Sequence, residues 1–475
     1  MEDLSTTTAP PLTDVAQARD LAGMLPRGFE LGVATAAYQV EGAVHEDGRG
    51  TSIWDTFSHT PGKVAGDENG DLACDHYHRM TEDVALMSRL GVDAYRFSVA
   101  WPRIQPDGRG AVNPEGVDFY SRLVDELLAA GITPVATIYH WDLPQPLEDA
   151  GGWPIRDTAR RFADYATALH ERLGDRVKRW ITINEPFCSS ILGYGTGRHA
   201  PGVRDTSAAL AAAHHLLLGH GMAVNAMRAA DPAAAYGATL NLEPVAPLTD
   251  AAEDVAAARR SLVLSNLLFT DPVLTGRYPE DARAIWPHVD FDFLQDGDLA
   301  ITSAPLDFLG VNYYFPARVR AVAHREQDPA RRRVDDIGVE SPLLPDDEIT
   351  EMGWPVDADG LCRLLTWLHE TYPGLAPIIV TENGRASADV VEGGAVHDPE
   401  RIRYVDSHLR AVLRALGAGV DVSGYYHWSL LDNFEWAEGY AKRFGFVYVD
   451  YETLERVPKA SFEWYRDVIA ARSRG

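Results

Sequence analysis

The sequence predicts a closed barrel of eight parallel β-strands alternating with α-helices. Three observations lead to this fold class. Eight short apolar runs along the 475 residues are separated by helical segments. No internal repeat or linker divides the chain into halves, which favours one sheet over two. Polar and aromatic residues follow most of the runs, and in a β/α barrel the carboxyl ends of the strands converge on one face.

The predicted strands are short and rich in β-branched and apolar residues. They span residues 29–39, 94–101, 133–141, 179–185, 238–244, 306–314, 377–382 and 422–431. The helices between them have apolar residues three and four positions apart. The first such helix has its apolar face at Tyr77, Met80, Val84 and Met87 and ends at Gly91. Later helices are predicted at 114–130, 155–173, 207–229, 255–270, 361–372 and 399–416, with a charged insertion at 317–350.

An open doubly wound sheet is the rival fold, and it usually carries a glycine-rich turn after an early strand. The sequence has neither a GxGxxG turn nor a P-loop motif. Tryptophans taken one at a time are more often core than ligand platforms. Here their density beside polar residues at the strand ends favours a ligand site. The strand ends carry Gln39, Trp101, His140, Trp141, Asn184, Glu185, Tyr314, Glu382 and Trp428.

The composition argues against several classes of function. The 43 Lys and Arg against 70 Asp and Glu leave a net charge of −27, which repels nucleic acid and anionic membrane surfaces. A phosphorylated substrate would need a local basic pocket, whereas a neutral ligand meets no such penalty. Cys74, Cys188 and Cys362 are widely separated and provide neither a disulfide framework nor a CxxC metal motif. We therefore expect a reducing compartment.

The amino-terminal residues 1–25 lack the basic start and apolar stretch of a secretory signal. We predict a disordered tail there and a single barrel domain over residues 26–470. No run of 18 or more apolar residues occurs in the sequence. The sequence therefore predicts a soluble, cytoplasmic protein with a small-molecule partner and without a nucleic-acid or membrane partner. It leaves the oligomeric state open.

Two of the predicted strands end in glutamate. Glu382 follows the apolar run 378–381 and precedes Asn-Gly, and Glu185 ends another strand before Pro186. Each has a structural interpretation when taken alone, because Asn-Gly is typical of a hairpin turn and a Glu before Pro is typical of a helix start. Two carboxyls at one barrel mouth instead indicate glycoside hydrolysis, in which one protonates the leaving oxygen and the other attacks or stabilises the anomeric carbon.

The neighbours of the two glutamates predict which role each takes. Hydrophobic burial between Asn184 and Pro186 would raise the pKa of Glu185 toward that of an acid. An arginine such as Arg96 beside Glu382 would keep that carboxyl ionised.

The segment 74–78, Cys-Asp-His-Tyr-His, is the strongest alternative site. It has side chains that bind metals, yet a structural zinc site usually has a CxxC or HxxxH spacing and a distant second pair. We interpret Asp75 as the N-cap of the helix that begins there. The sequence therefore predicts no metal and no cofactor.

Seven segments, in order, resemble glycoside hydrolase family 1, the β-glucosidase family, from about Phe29 to Tyr465. They are AYQVEGA (37–43), YRFSVAWPRI (95–104), HWDLPQ (140–145), TINEP (182–186), GVNYY (310–314), VTENG (380–384) and WSLLDNFEW (428–436). One such motif would be modest support for the resemblance, but seven motifs in the same order are specific to the family. The resemblance implies the eight-stranded β/α barrel.

The resemblance also implies roles for individual residues. Glu185 would be the acid/base and Glu382 the nucleophile. Arg96 and Asn312 would support the two carboxyls, and Trp354 would face the aglycone. The sugar at the nonreducing end would be surrounded by Gln39, His140, Trp141, Asn184, Tyr314, Trp428, Glu435 and Trp436.

The predicted activity is that of a retaining β-glycosidase, most simply a β-glucosidase. A β-galactosidase or β-fucosidase is an alternative within the family. A catalytically silent sugar-binding protein is an alternative outside enzymes, although such a protein would be expected to have lost one glutamate. Phe187, Pro355 and Arg385 depart from the commonest family pattern and leave the shape of the outer pocket open.

Overall fold

The structure is a computed structural model that describes residues 15–472. All eight predicted strands are present and close into a parallel barrel, so the predicted fold class is confirmed. Each strand pairs with its neighbours in the chain, and the last strand closes the barrel against the first, where Ala34 pairs with Trp428. The strands are β1 (Glu30–Ala34), β2 (Ala94–Ser98), β3 (Thr133–Tyr139), β4 (Arg179–Asn184), β5 (Ala235–Asn241), β6 (Phe308–Asn312), β7 (Ile378–Asn383) and β8 (Val422–Trp428).

Helices surround the barrel. The longer ones are α1 (Val15–Met24), α2 (His76–Leu90), α3 (Pro114–Ala129), α4 (Arg156–Leu173), α5 (Thr206–Ala230), α6 (Ala252–Leu262), α7 (Leu268–Thr275), α8 (Ala358–Thr371), α9 (Pro399–Gly417) and α10 (Ala460–Arg472). Shorter helical turns span Ala37–Val40, Ile53–Ser58, Ala65–Asp67, Trp101–Ile104, Gln145–Asp149, Cys188–Thr196, Val263–Leu267, Ala282–Ile285, Asp298–Thr302, Pro329–Arg331 and Trp436–Glu438. Within residues 15–472, no helix is long and apolar enough to cross a membrane.

Three small sheets form in the loops outside the barrel, within the described residues. The predicted charged insertion contains Ala317–Ala321 and Val339–Glu340, which form a three-stranded sheet with Val245–Pro247. Two antiparallel pairs join Val391–Glu392 to Ala395–Val396 and Val447–Val449 to Arg456–Pro458.

The predicted disordered tail over residues 1–25 is wrong from Val15 onward, because α1 forms there. Ala18, Leu21, Ala22 and Leu25 are buried, and α1 packs against α10. These residues are three and four positions apart and so form an apolar stripe on one face of the helix. The stripe is difficult to recognise in the sequence because most of the segment is polar. Residues 1–14 lie outside the described part of the chain, so the expectation for them stays a prediction.

Most predicted strands end a few residues earlier than expected, and after β1 and β2 the reason is that the chain soon turns into a short helix as it leaves the barrel. β1 ends at Ala34, and β2 ends at Ser98. Trp101 was expected at the carboxyl end of β2, but it lies in the helical turn that follows. There it is fully buried and stacks on Tyr165, with 4.8 Å between ring centroids. It is a core residue.

The pairing of β4 and β7 becomes irregular where each approaches its glutamate. The register shifts between Ile181 and Asn184 in β4, and between Val380 and Glu382 in β7. Such irregularities bend a strand and change the direction of its side chains, and they are common beside active sites. Gly384 follows at a close approach to β8, since a Cβ there would lie 1.8 Å from the carbonyl oxygen of Trp428.

Candidate active site

A cavity of roughly 260 Å³ opens among the carboxyl ends of the barrel strands. Ten of the predicted residues line it: His140, Trp141, Glu185, Asn312, Tyr314, Trp354, Glu382, Trp428, Glu435 and Trp436. Gln39, Arg96 and Asn184 are buried behind these residues and contact them directly. The structure therefore brings all thirteen predicted site residues together.

Glu382 lies at the end of β7 and is 3% exposed. Its Oε1 accepts a hydrogen bond from Arg96 Nη1 at 2.5 Å, and its Oε2 accepts one from the Tyr314 hydroxyl at 2.7 Å. Burial raises the pKa of this carboxyl, while Arg96 and Tyr314 lower it. A buried guanidinium on one oxygen and a hydroxyl donor on the other favour the ionised form.

Glu185 follows β4 and is 5% exposed, with a φ of 46° in the left-handed region. Its Oε1 accepts a hydrogen bond from Asn312 Nδ2 at 2.7 Å, and its Oε2 accepts one from the Cys188 thiol at 3.2 Å. No ion pair with a cation is formed at Glu185 within the described residues. Burial, followed by the charge of Glu382, raises the pKa of Glu185 to about 8. Its environment therefore favours the protonated form at neutral pH.

An amide network joins the surroundings of the two carboxyls. Arg96 Nη2 donates to Asn184 Oδ1 at 2.6 Å, and Asn312 Nδ2 lies 3.1 Å from the same oxygen. Thr381 donates to Asn312 Oδ1 at 2.8 Å, which leaves the Asn312 amide group directed at Glu185. Buried groups with this many partners hold both carboxyls in place.

The inner end of the cavity presents further polar groups. Gln39 Nε2 donates to Asn433 Oδ1 at 3.0 Å and to Glu435 Oε2 at 3.3 Å. Asn184 Nδ2 contacts His140 Nε2 at 3.0 Å. Among the described residues, nothing bonds to Gln39 Oε1 or His140 Nδ1, although both atoms are buried. Burial, followed by the charges of Glu382 and Glu185, raises the pKa of Glu435 to about 8.

Aromatic rings form the walls of the cavity. Trp436 packs on Trp141, with 4.4 Å between centroids, and its ring lies nearly parallel to His140. Trp354 packs on Tyr314 at 5.3 Å and is less deeply buried. Such flat apolar surfaces suit the faces of a sugar ring.

The residues of segment 74–78 have partners that explain them without a metal. Cys74 donates to the Asp432 carbonyl at 3.0 Å, and His76 Nδ1 lies 2.8 Å from Asp83. Asp75 precedes α2 as predicted, but its side chain contacts His78 instead of capping the helix, because its backbone has a φ of 54°. No group of three or more potential metal ligands occurs within residues 15–472.

The structure also places the family departures and several residues that the sequence did not indicate. Phe187 lines the outer cavity, whereas Arg385 pairs with Glu348. The unpredicted lining residues include Cys188, Leu192, Arg198, His199, Asn241, Glu243, Ser265, Phe315, Met352 and Glu438. Half of them lie in loops, and the other half lie in short helical turns or at the end of β5. Glu243 was detectable, as a carboxylate two residues after β5.

Comparison with known proteins identifies the family. Residues 21–474 match the model of glycosyl hydrolase family 1. The chain belongs to glycosyl hydrolase family 1. The resemblance drawn from the seven motifs is thereby confirmed, and glycosyl hydrolase family 1 enzymes are retaining glycosidases.

Relatives match over nearly the whole chain. A thermostable beta-glucosidase B of Thermobispora bispora is 54% identical over 96% of this chain and 93% of its own length. A bifunctional beta-D-glucosidase/beta-D-fucosidase of Bifidobacterium breve is 48% identical over 95% and 99%. The crystal structure of a psychrophilic beta-glucosidase from Micrococcus antarcticus superposes with a TM-score of 0.91 at 48% identity, covering 96% of this chain and 99% of that one.

Proposed function

We propose that the protein is a retaining β-glucosidase that releases the nonreducing-end glucosyl residue from neutral β-glycosides. The observation that carries the proposal is the pair of buried carboxyls at one cavity with opposite surroundings. Among residues 15–472, Glu382 has a guanidinium partner, whereas the hydrogen-bond donors to the Glu185 carboxyl are neutral. Glucose is chosen as the sugar because a relative that is 54% identical is named as a beta-glucosidase.

In the first step, Glu382 attacks the anomeric carbon while the bond to the leaving oxygen breaks. Glu185 gives its proton to that oxygen, so the alcohol leaves uncharged. Arg96 and Tyr314 hold the attacking carboxylate in place and ionised. The result is a glucosyl ester on Glu382 and an ionised Glu185.

In the second step, Glu185 removes a proton from water, which attacks the anomeric carbon and releases Glu382. The charge of Glu382 is one cause of the raised pKa of Glu185. Forming the ester removes that charge, so the pKa of Glu185 falls just when this residue must act as a base. The same carboxyl therefore serves as acid and then as base.

Recognition of the sugar would use the polar groups at the inner end. Gln39 Oε1 and His140 Nδ1 have no hydrogen-bond partner in the described part of the chain, and they match hydroxyl groups, which both donate and accept hydrogen bonds. Burial lowers the pKa of His140 well below its usual value, so its ring is neutral. Asn184 and Glu435 extend this polar surface, while Trp428 and Trp436 cover the faces of the ring.

A panel of 4-nitrophenyl β-glycosides tests the proposal. We expect the highest kcat/KM for the glucoside. A β-fucosidase activity is the second candidate, because one relative is named for both sugars and the polar set tolerates different C4 configurations. A higher kcat/KM for the galactoside or the fucoside would show that the preferred sugar is not glucose. If no member of the panel is hydrolysed, the protein is a sugar-binding protein and not an enzyme.

Replacing Cys188 with alanine should shift the alkaline limb of the pH profile upward. The thiol donates to Glu185 Oε2 and so stabilises the ionised form and lowers the pKa. Without it, Glu185 should stay protonated to higher pH than the wild-type value of about 8. The measurement is kcat/KM for cellobiose against pH, with Cys362→Ala on α8 as the control. An alkaline limb that stays at the same pH or moves to lower pH would show that the Cys188 thiol does not lower the pKa of Glu185.

The enzyme should discriminate against 6-phosphorylated glucosides. If Glu435 contacts the C6 substituent, a phosphate dianion meets a like charge, worth about 4 kcal/mol near 4 Å at an effective dielectric of 20. Once Glu435 is ionised, that is roughly a thousandfold in kcat/KM. Because the pKa of Glu435 is about 8, the ratio of the unphosphorylated to the phosphorylated 4-nitrophenyl glucoside should rise from pH 6 to pH 8.5. Equal kcat/KM values for the two substrates at pH 8.5 would show that Glu435 does not contact the C6 substituent.

A further inference from the structure

A hairpin at the end of the charged insertion contributes to the cavity wall. It spans residues 348–356 and folds back on itself, so that the Val356 N–H donates to the Glu348 carbonyl at 2.8 Å. Met352 and Trp354, near the tip of this hairpin, both line the cavity. We call residues 348–356 the Trp354 hairpin.

The Trp354 ring packs beside the proposed nucleophile. Its centroid lies 5.3 Å from that of Tyr314 and 5.0 Å from that of Phe315. The Tyr314 hydroxyl in turn donates to Glu382 Oε2 at 2.7 Å. A displacement of the Trp354 hairpin would therefore change the cavity wall next to Glu382, while Arg96 would still hold that carboxylate.

The Trp354 hairpin is bound to the segment that follows the nucleophile. The Glu351 N–H donates to the Ala386 carbonyl at 3.2 Å, and Arg385 Nη1 donates to Glu348 Oε1 at 2.5 Å. The Arg385 side chain is 8% exposed, and within residues 15–472 Glu348 is its only ion-pair partner. Because a buried guanidinium is costly without its anion, Arg385 favours the hairpin position that brings Glu348 to it.

We propose that Arg385 is a positioning residue, whose ion pair with Glu348 fixes Trp354 in the cavity wall for substrate binding. The inference rests on the proposed glucosidase function. In the described part of the chain, Arg385 neither lines the cavity nor forms a hydrogen bond with Glu382. It therefore acts on binding and not on bond breaking. Arg385 also departs from the commonest family pattern, so that pattern does not account for this pair.

The test compares variants on 4-nitrophenyl β-glucoside. Arg385→Met keeps most of the buried volume but removes the charge, so KM should rise about fivefold while kcat stays within twofold of wild type. Fivefold corresponds to about 1 kcal/mol, the upper end for an ion pair with an exposed partner. Arg385→Lys keeps the charge and a donor, and it should recover most of the loss. The matched control is Arg320→Met, in the exposed pair with Glu340 of the same insertion, and it should leave KM unchanged.

A double-mutant cycle shows whether Arg385 acts through Trp354. Trp354→Ala alone should raise KM, and adding Arg385→Met should raise it no further, because the side chain that is positioned is then absent. Glu348→Ala should raise KM about as much as Arg385→Met, since it removes the other half of the pair. If Arg385→Met does not fold, Glu348→Ala takes its place in the cycle, because the Glu348 side chain is 55% exposed.

Three outcomes would overturn the inference. They are additive effects of the two substitutions in the cycle, an unchanged KM in both Arg385→Met and Glu348→Ala, and a loss of thermal stability without any change in KM. The last would show that the ion pair serves the fold alone. Failure of the wild type to hydrolyse the substrate would instead overturn the proposed function, and this inference with it.

Discussion

Replacing Glu382 with glycine should lower kcat for every β-glucoside by a factor on the order of 10⁶, comparable to the loss of other catalytic nucleophiles. The reason is that Glu382 is paired with the buried guanidinium of Arg96, whereas Glu438, which also lines the cavity, pairs with the largely exposed Arg198. Glu435 carries no such partner, and Glu185 is required as the acid. Arg96 would be left buried without its anion, so a loss of thermal stability should accompany the loss of activity.

Azide makes this prediction specific. It should occupy the space left by the carboxylate, attack the anomeric carbon from that side, and yield the α-glucosyl azide as turnover is partly restored. Glu392→Gly on the exposed strand Val391–Glu392 is the matched control and should retain full activity. Recovery of the β-azide, or no recovery with any small anion while the protein stays folded, would show that Glu382 is not the nucleophile.

Replacing Glu185 with alanine should affect substrates according to their leaving groups. General acid catalysis contributes about 10²–10⁴-fold, so kcat/KM for cellobiose should fall by that amount. A 2,4-dinitrophenyl glucoside needs little protonation and should still form the glucosyl enzyme, giving a burst followed by slow turnover. The measurement is kcat/KM across aryl glucosides of graded leaving-group pKa.

A steep dependence on leaving-group pKa in Glu185→Ala, with a shallow one in the wild type, is the expected result. Azide should again raise turnover, but here the product should be the β-azide, because the intermediate on Glu382 is attacked from the opposite face. A uniform loss across all leaving groups would contradict the assignment of Glu185 as the acid.

The sequence predicts the barrel and the residues at its strand ends well, for a simple physical reason. A residue at the carboxyl end of any barrel strand must lie at one mouth, so Glu185 on one strand and Glu382 on another could be brought together without knowing how the loops fold. The contact between Arg96 and Glu382 followed from the same geometry.

Residues in the loops could not be predicted in this way. The thiol of Cys188 reaches Glu185 only because the chain makes a wide helical turn after the strand. Asn266 bonds to the backbone of Glu243, and Ser265 lies beside it, because the wide helical turn Val263–Leu267 folds back on the chain about 20 residues after Glu243. The expectation that residues at strand ends line the barrel mouth also fails for Trp101, whose side chain is buried in the core. Helix α1 was missed because its few apolar residues lie within a polar segment.

The assignment of Glu382 as the nucleophile is tested most directly by finding which residue carries the sugar during turnover. A 2-deoxy-2-fluoro-β-glucoside of 2,4-dinitrophenol slows the second step more than the first, so the glycosyl enzyme accumulates and can be digested and sequenced by mass spectrometry. We expect one fluoroglucosyl group per chain, on Glu382. A label on Glu185 or Glu435, or no covalent label despite hydrolysis of ordinary substrates, would contradict it.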